Sequence, residues 1–249
     1  MIHRHRARRL TRDANQEPAA RPAYDGAMHT SLTREGAEAR FVVADLDPTL
    51  HASAAELLTP CAEGFERRFA WRGEVDATFE RFSAVIDRML RQHAGVERMP
   101  WQEALRRFVE LAGDDIDWCL VGSGALAVRG IAVTPRDIDV VVAEQDFWRV
   151  VARLRDHLVE GVSESDDWIA RWFCRAFLDG RVECVAGIAA WVDAPEPSDF
   201  GPTAWSRRER LAWCGIDVAV PPLELQLAVS RRRGMAERAA LIEASLRSR

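Results

Sequence analysis

Asp137 and Asp139 stand one residue apart at the start of the apolar run Asp-Ile-Asp-Val-Val-Val, which reads as a strand. Residues two apart on a strand share a face, so both carboxylates point the same way. Two carboxylates side by side repel unless a cation lies between them, and oxygen ligation without His or Cys favours Mg2+ or Mn2+. Upstream, the apolar run Trp-Cys-Leu-Val ends in Gly122-Ser123-Gly124, just where a helix would begin. A glycine turn at that place offers backbone N–H groups to an anion, and the Ser123 hydroxyl can add a hydrogen bond to a phosphate oxygen. A phosphate cradle facing paired carboxylates is the arrangement used in metal-assisted phosphoryl or nucleotidyl transfer. Glu183 is a third acid, in Arg-Val-Glu-Cys-Val, where it shares a face with Arg181 and Val185. On a strand beside the Asp strand it would complete the metal site or accept a proton as general base. Arg129 and Arg136 flank the loop between the two halves of the pattern and are candidates for contacting a triphosphate or an acceptor.

The elements that must position these groups can be read from periodicity. Residues 1–38 are polar, Arg-rich and without period, and are expected to be a disordered tail. Residues 39–112 are expected to be mainly helical after a short strand over 40–50. Phe79, Phe82, Val85, Ile86, Met89 and Leu90 share one helical face, and Trp101, Ala104, Leu105, Phe108 and Val109 another. Residues 113–220 hold the chemical motifs. There, 118–121 and 138–143 read as strands, and 147–158 as a helix that Asp146 could cap. Residues 169–178 and 181–186 are strand-like runs around Asp179-Gly180, a strong hairpin signal. Residues 221–249 open with Pro221-Pro222 and read as C-terminal helices.

Composition narrows the chemistry. All 34 basic residues are Arg, so a P-loop lysine, a Schiff-base lysine and a Ser–Lys dyad are excluded. The net charge of −5 disfavours a chain coated for nucleic acid. Five cysteines without a C-x-x-C pair support neither a zinc site nor a disulfide frame, and point to free thiols in a cytoplasmic protein. No apolar stretch reaches the ~20 residues of a membrane span.

Val121-Gly122-Ser123, then Asp137-Ile138-Asp139-Val140, then Glu183 on a later strand resembles the DNA polymerase β-like nucleotidyltransferase superfamily. Residues 122–139 look most like its small bacterial branch, which holds antibiotic nucleotidyltransferases and the transferase toxins of abortive-infection and toxin–antitoxin systems. Residues 220–244 are similar to that branch's C-terminal helices, with Glu237-Arg238 where Lys-Asp is expected. The resemblance covers about residues 100–245. It implies an α+β fold, a small mixed sheet flanked by helices. It also implies transfer of a nucleoside monophosphate from a nucleoside triphosphate to an acceptor hydroxyl on a small molecule, a protein or a tRNA. Mg2+ or Mn2+ would sit on Asp137, Asp139 and Glu183, with Gly122, Ser123, Arg129 and Arg136 on the nucleotide.

Three rivals compete with that expectation. A catalytically idle member would serve as a binding partner in a toxin–antitoxin-like pair, although a dead site has no physical need for same-face acids. Gly122-Ser123-Gly124-Ala125-Leu126-Ala127 fits G-x-G-x-x-A, with Glu144 near the place of a ribose-binding acid, the pattern of a dinucleotide-binding oxidoreductase. Asp45-Leu46-Asp47-Pro48-Thr49 fits the D-x-D-x-T of haloacid dehalogenase-like phosphatases, with Asp114-Asp115 as a later acid pair.

Overall fold

The computed structural model describes residues 27–71 and 74–248. Residues 1–26 of the expected tail lie outside the described residues. From His29 onward the expectation of a tail fails. Strand β1 (His29–Glu35) pairs antiparallel with β2 (Glu38–Ala44) along its whole length. Its alternation is hidden because one face is only half-buried and the other is polar.

The following stretch is also less helical than its composition suggests. After α1 (His51–Leu57) come β3 (Thr59–Cys61) and β4 (Gly64–Ala70), giving an antiparallel sheet of order β1-β2-β4-β3. β4 is hard to see in sequence because Glu66, Arg67 and Arg68 interrupt its apolar positions; Phe65 and Phe69 alone face the core. Helix α2 (Val75–Ala94) covers this sheet with the face expected from its periodicity, burying Phe82, Ile86, Met89 and Leu90. Phe41 on β2 meets Phe69, Phe79 and Phe82 with ring centroids 4.9–5.1 Å apart. Helix α2 ends at Gly95, whose φ of +74° lets its N–H reach the Arg91 and Gln92 carbonyls.

Helix α3 (Trp101–Ala112) leads into the second sheet. In chain order it contains β5 (Trp118–Val121), followed by α4 (Gly122–Val128), β6 (Ile138–Val142), α5 (Phe147–Arg153), β7 (Ser163–Glu164), β8 (Ala170–Phe177) and β9 (Arg181–Ile188). The spatial order is β5-β6-β9-β8-β7, with β6 and β9 parallel and the other pairs antiparallel. The Asp179-Gly180 hairpin forms as expected, with Asp179 at φ +61°. One face of the sheet is apolar: Leu120, Ile138, Val140, Val142, Val182 and Cys184 pack with Phe108 of α3 and Phe147 of α5. The alternate residues, including Asp139 and Glu183, form the other face. Asp146 precedes α5 but does not cap it; its carboxylate instead accepts the Asp117 N–H at 3.0 Å and an Arg149 N–H at 2.8 Å.

Helix α6 (Pro202–Ser206) and an unexpected hairpin, β10 (Glu209–Trp213) with β11 (Ile216–Val220), then lie beside β5. Helices α7 (Leu223–Arg232) and α8 (Ala236–Arg247) close the chain after Pro221-Pro222. No described helix is long and apolar enough to cross a membrane.

The two sheets interlock. Gly161 sits so close to Phe69 that a Cβ there would meet the ring at 2.2 Å. Arg81 Nε donates to the Leu158 carbonyl at 2.8 Å, and Gln92 Nε2 to the Asp179 carbonyl at 2.9 Å.

This topology corrects two of the rivals. A dinucleotide fold needs β5 and β6 parallel, whereas they are antiparallel, and Glu144 is exposed with Arg171 3.7 Å away. A haloacid dehalogenase fold needs a parallel sheet after Asp45, whereas β2 lies between antiparallel neighbours. Asp47 spends one carboxylate oxygen on the Thr49 N–H and hydroxyl, at 2.8 and 2.7 Å, and Asp115 is paired with Arg149 and Arg153. Asp45 is an exposed turn residue at φ +51°, a conformation Asn also tolerates. Asp45→Asn is therefore expected to change stability by less than about 0.5 kcal/mol in denaturant unfolding, and to leave any transferase activity intact.

Candidate active site

The site is assembled by strand register. Val121, the last residue of β5, pairs with Asp139 of β6, and Asp139 pairs with Glu183 of the parallel strand β9. Registered residues on neighbouring strands point to the same side, so Asp139 and Glu183 project together from the face opposite the apolar core. Asp137 immediately precedes β6, two residues from Asp139, and joins them. The three expected acids are thus brought together.

Gly122 follows Val121 at φ +63°, and a Cβ there would stand 2.8 Å from Asp139 Oδ2. Both the backbone conformation and the close approach demand glycine. Gln226 of α7 fixes the turn by donating to the Gly122 carbonyl at 3.0 Å. Ser123 is half-buried at the same turn. Gly122→Ala is expected to cost about 1–3 kcal/mol in thermal or denaturant unfolding, from a left-handed non-glycine residue alone, and to displace the Asp139 carboxylate besides.

Electrostatics separate the three acids. Asp139 makes no hydrogen bond or ion pair among the described residues. Burial raises its carboxyl well above the ordinary range, and the neighbouring Asp137 and Glu183 raise it further. Glu183 goes the other way. Burial pushes it up, but Arg175 and Arg181 outweigh that and hold it below the ordinary range. Arg175 Nε lies 2.8 Å and Arg181 Nη1 3.2 Å from Glu183 Oε1. Arg181 also ion-pairs with Asp137. Arg175 continues to Glu160 at 3.0 Å, and Glu160 to Arg67 of β4 at 2.9 Å. The result is a chain of alternating charge, Arg67–Glu160–Arg175–Glu183–Arg181–Asp137. Glu160, Arg175 and Arg181 are 2 %, 6 % and 4 % exposed, so the middle of the chain is desolvated. An ionised Glu183 held by two guanidiniums is a weak base, which argues against the general-base role expected for it.

The donor set suits a hard divalent cation in part. Asp139 is a half-buried carboxyl without a partner among the described residues, crowded by two further acids, and the turn beside it lacks a Cβ. Asp137 and Asp139 would hold the ion. Glu183 is already occupied by arginines, and among the described residues no cluster of three or more His, Cys, Asp or Glu is arranged as a ready metal cage.

The remaining expected residues divide. Arg136 is exposed at the rim and donates to the His93 carbonyl at 3.2 Å. Arg129 is a correction: its side chain is 1 % exposed, and its Nη2 is held by Glu209 and the Pro221 carbonyl, at 2.7 and 2.8 Å, while Nε and Nη1 are buried without a partner among the described residues. It braces α4 against the β10–β11 hairpin and is closed to a nucleotide.

Two groups escape sequence reasoning. Asp199 is 5 % exposed, its carboxyl raised by burial against the pull of Arg233 and Arg238, and its charge reaches Asp139. Arg238 of α8 makes no hydrogen bond or ion pair among the described residues, and its Nε is buried without a partner. Burial lowers its pKa against the attraction of Asp199, Asp139 and Asp137. Nothing in a Pro-rich loop marks Asp199 as a site residue, and Arg238 is marked only as part of the Glu237-Arg238 pair that stands where Lys-Asp is expected. Cavities of about 260 and 670 Å³ lie elsewhere, one beside Asp117 and Trp205 and the other between Trp71, Trp148 and Trp172. Neither includes an acid of the cluster, and the unpaired charges rather than the volumes mark the site.

Solved structures similar to the chain are nucleotidyltransferases or described as resembling them. A Thermotoga maritima protein provisionally described as a nucleotidyltransferase shares 18 % identity over 60 % of this chain and 94 % of its own, at a TM-score of 0.44. ANT(2'')-Ia, solved in complex with adenylyl-2''-tobramycin, shares 16 % over 59 % of this chain and 90 % of its own, at 0.40. An antigenic nucleotidyltransferase-like protein from Paracoccidioides brasiliensis shares 15 % over 58 % of this chain and 75 % of its own, at 0.37. No family model and no curated protein matches the chain. At these identities and scores, the functional reading rests on the acid cluster itself.

Proposed function

We propose that this chain is a metal-dependent nucleotidyltransferase that moves a nucleoside monophosphate from a nucleoside triphosphate to an acceptor hydroxyl. The observation that carries the proposal is Asp139: a half-buried carboxyl without a partner among the described residues, in register with Glu183, beside Asp137, and touching a turn that only glycine can make. An Mg2+ or Mn2+ ion bound there would offset charge developing on the α-phosphate and the leaving pyrophosphate.

The chain's own residues do the rest. Asp137 and Asp139 hold the ion. The Gly122-Ser123 turn brings backbone N–H groups and a hydroxyl next to them, fitted to phosphate oxygens. Arg238, half-buried, unpaired among the described residues and within electrostatic reach of Asp139 and Asp137, fits the far phosphates, where its charge would gain a partner. Arg136 at the rim is open to the acceptor or the nucleotide. Arg175 and Arg181 fix Glu183 and Asp137, so the acid geometry is set before any ligand arrives. The same-face acids and the unpaired Arg238 weigh against an idle binding partner, since both are costly to keep in a site without ligand.

The test is incubation of the chain with each α-labelled nucleoside triphosphate, Mg2+ or Mn2+, and cell extract. The expected result is metal-dependent label on one class of acceptor, with pyrophosphate released. Absence of label transfer with every nucleotide and both metals would overturn the proposal.

A further inference from the structure

The acid cluster is already partly neutralised by protein. Two of its three acids are ion-paired, Glu183 with Arg175 and Arg181 and Asp137 with Arg181, which leaves Asp139 as the acid without a cationic partner among the described residues. Arg181 is the member that matters most. It bridges Asp137 and Glu183, the two acids between which a second cation would have to lie. It is 4 % exposed and is also hydrogen-bonded at 3.3 Å to His93 Nδ1, so it is fixed in place on three sides.

Sites that use two ions for phosphoryl chemistry hold them about 3.5–4 Å apart on shared carboxylates. Here the carboxylate that would be shared is Asp137, and its far side is taken by Arg181. We infer that Arg181 stands in the place of a second cation, so that this site takes a single divalent ion, on Asp139 and Asp137. The inference rests on the metal-dependent reading above and adds a stoichiometry to it. Arg181 is in this sense a positioning residue: it holds Asp137 and Glu183 by a fixed charge rather than by an exchangeable one.

The experiment is equilibrium dialysis of the full chain against Mn2+, with bound and free ion separated by EPR. It is run with and without α,β-methylene-ATP, and with a nucleotide-only control. Wild type is expected to hold one Mn2+ per chain in both conditions. Arg181→Met is expected to hold two in the presence of the analogue, because Asp137 is released for a second ion while Arg175 still orients Glu183 beside it. Arg181→Lys, which keeps the charge, is expected to stay at one. Two tightly held Mn2+ ions in wild type would overturn the inference whether or not the Met variant folds. So would a folded Arg181→Met that still holds one. No bound Mn2+ in any sample would overturn the cation reading of Asp137 and Asp139 together with this inference, an outcome distinct from either of the others.

Discussion

Asp139→Asn is expected to abolish metal-dependent nucleotidyl transfer, by on the order of 10²–10³-fold or more, while raising the melting temperature of the metal-free chain. Both effects come from the same crowded carboxyl. Asn keeps the size and one oxygen but cannot hold the cation. In the absence of metal the substitution removes a carboxyl that burial, Asp137 and Glu183 all disfavour in its ionised form. Relief of about 1 kcal/mol would raise the melting temperature by about 2–4 °C in a chain of this size. The sign with pH follows. An acid whose pKa is raised by folding binds its proton more tightly in the native state, so its contribution favours folding at low pH and is lost as pH rises above the ordinary carboxylate range. The stability gap between the variant and wild type should therefore widen from pH 4 towards neutrality. Mn2+ should raise the melting temperature of wild type and not of the variant. Full transfer activity in Asp139→Asn would remove that residue from the mechanism; loss of the fold would make the acid pair structural.

Arg175→Met should be the most destabilising single change at the site. Arg175 is 6 % exposed and lies between Glu160, 2 % exposed, and Glu183. Removing one partner of a buried ion pair leaves the other charge desolvated and typically costs about 3–5 kcal/mol. Arg67 still faces Glu160 and Arg181 still faces Glu183, which places the expected loss near about 3 kcal/mol, or about 6–12 °C. A double-mutant cycle separates stranded charge from lost packing. Glu160→Leu added to Arg175→Met removes one stranded carboxylate and should recover part of the loss, making the pair strongly non-additive. Additive losses would mean that the chain of charges contributes packing alone.

The residues of the candidate site are more legible in sequence than the frame around them. Asp137 and Asp139 show their shared face through period two, and Gly122 shows its turn because no other residue tolerates that backbone next to a carboxylate. The alternation Arg181-Glu183-Val185 puts Glu183 on the right face. The same alternation puts Arg181 beside it, although nothing in sequence says that Arg181 reaches across to Asp137. That contact depends on β9 lying parallel to β6, a pairing between strands far apart in the chain. Arg129 looks as open as Arg136 in sequence, because its partners, Glu209 and Pro221, come from a hairpin that local pattern hides. β10 and β11 meet at Cys214-Gly215 with Arg210 and Asp217 on one face and Glu209 among the apolar residues of the other, which blurs their alternation, and polar residues hide β1 and β4 in a similar way. Local pattern identifies the acids; long-range register decides what each of them faces.

The line of charge that starts at Arg67 sets limits on modularity. Its first link belongs to the sheet of β1–β4, and its last, Asp137, belongs to the site. The Phe69 ring closes over Gly161 at the same seam. A chain trimmed to the segment that carries the chemical motifs, from about residue 100 onward, would strip Glu160 of Arg67 and expose the Gly161 backbone. The half that carries the acid cluster is thus not a portable cassette. The smallest piece of this chain that could be moved into another protein with its acids in place is the pair of sheets together.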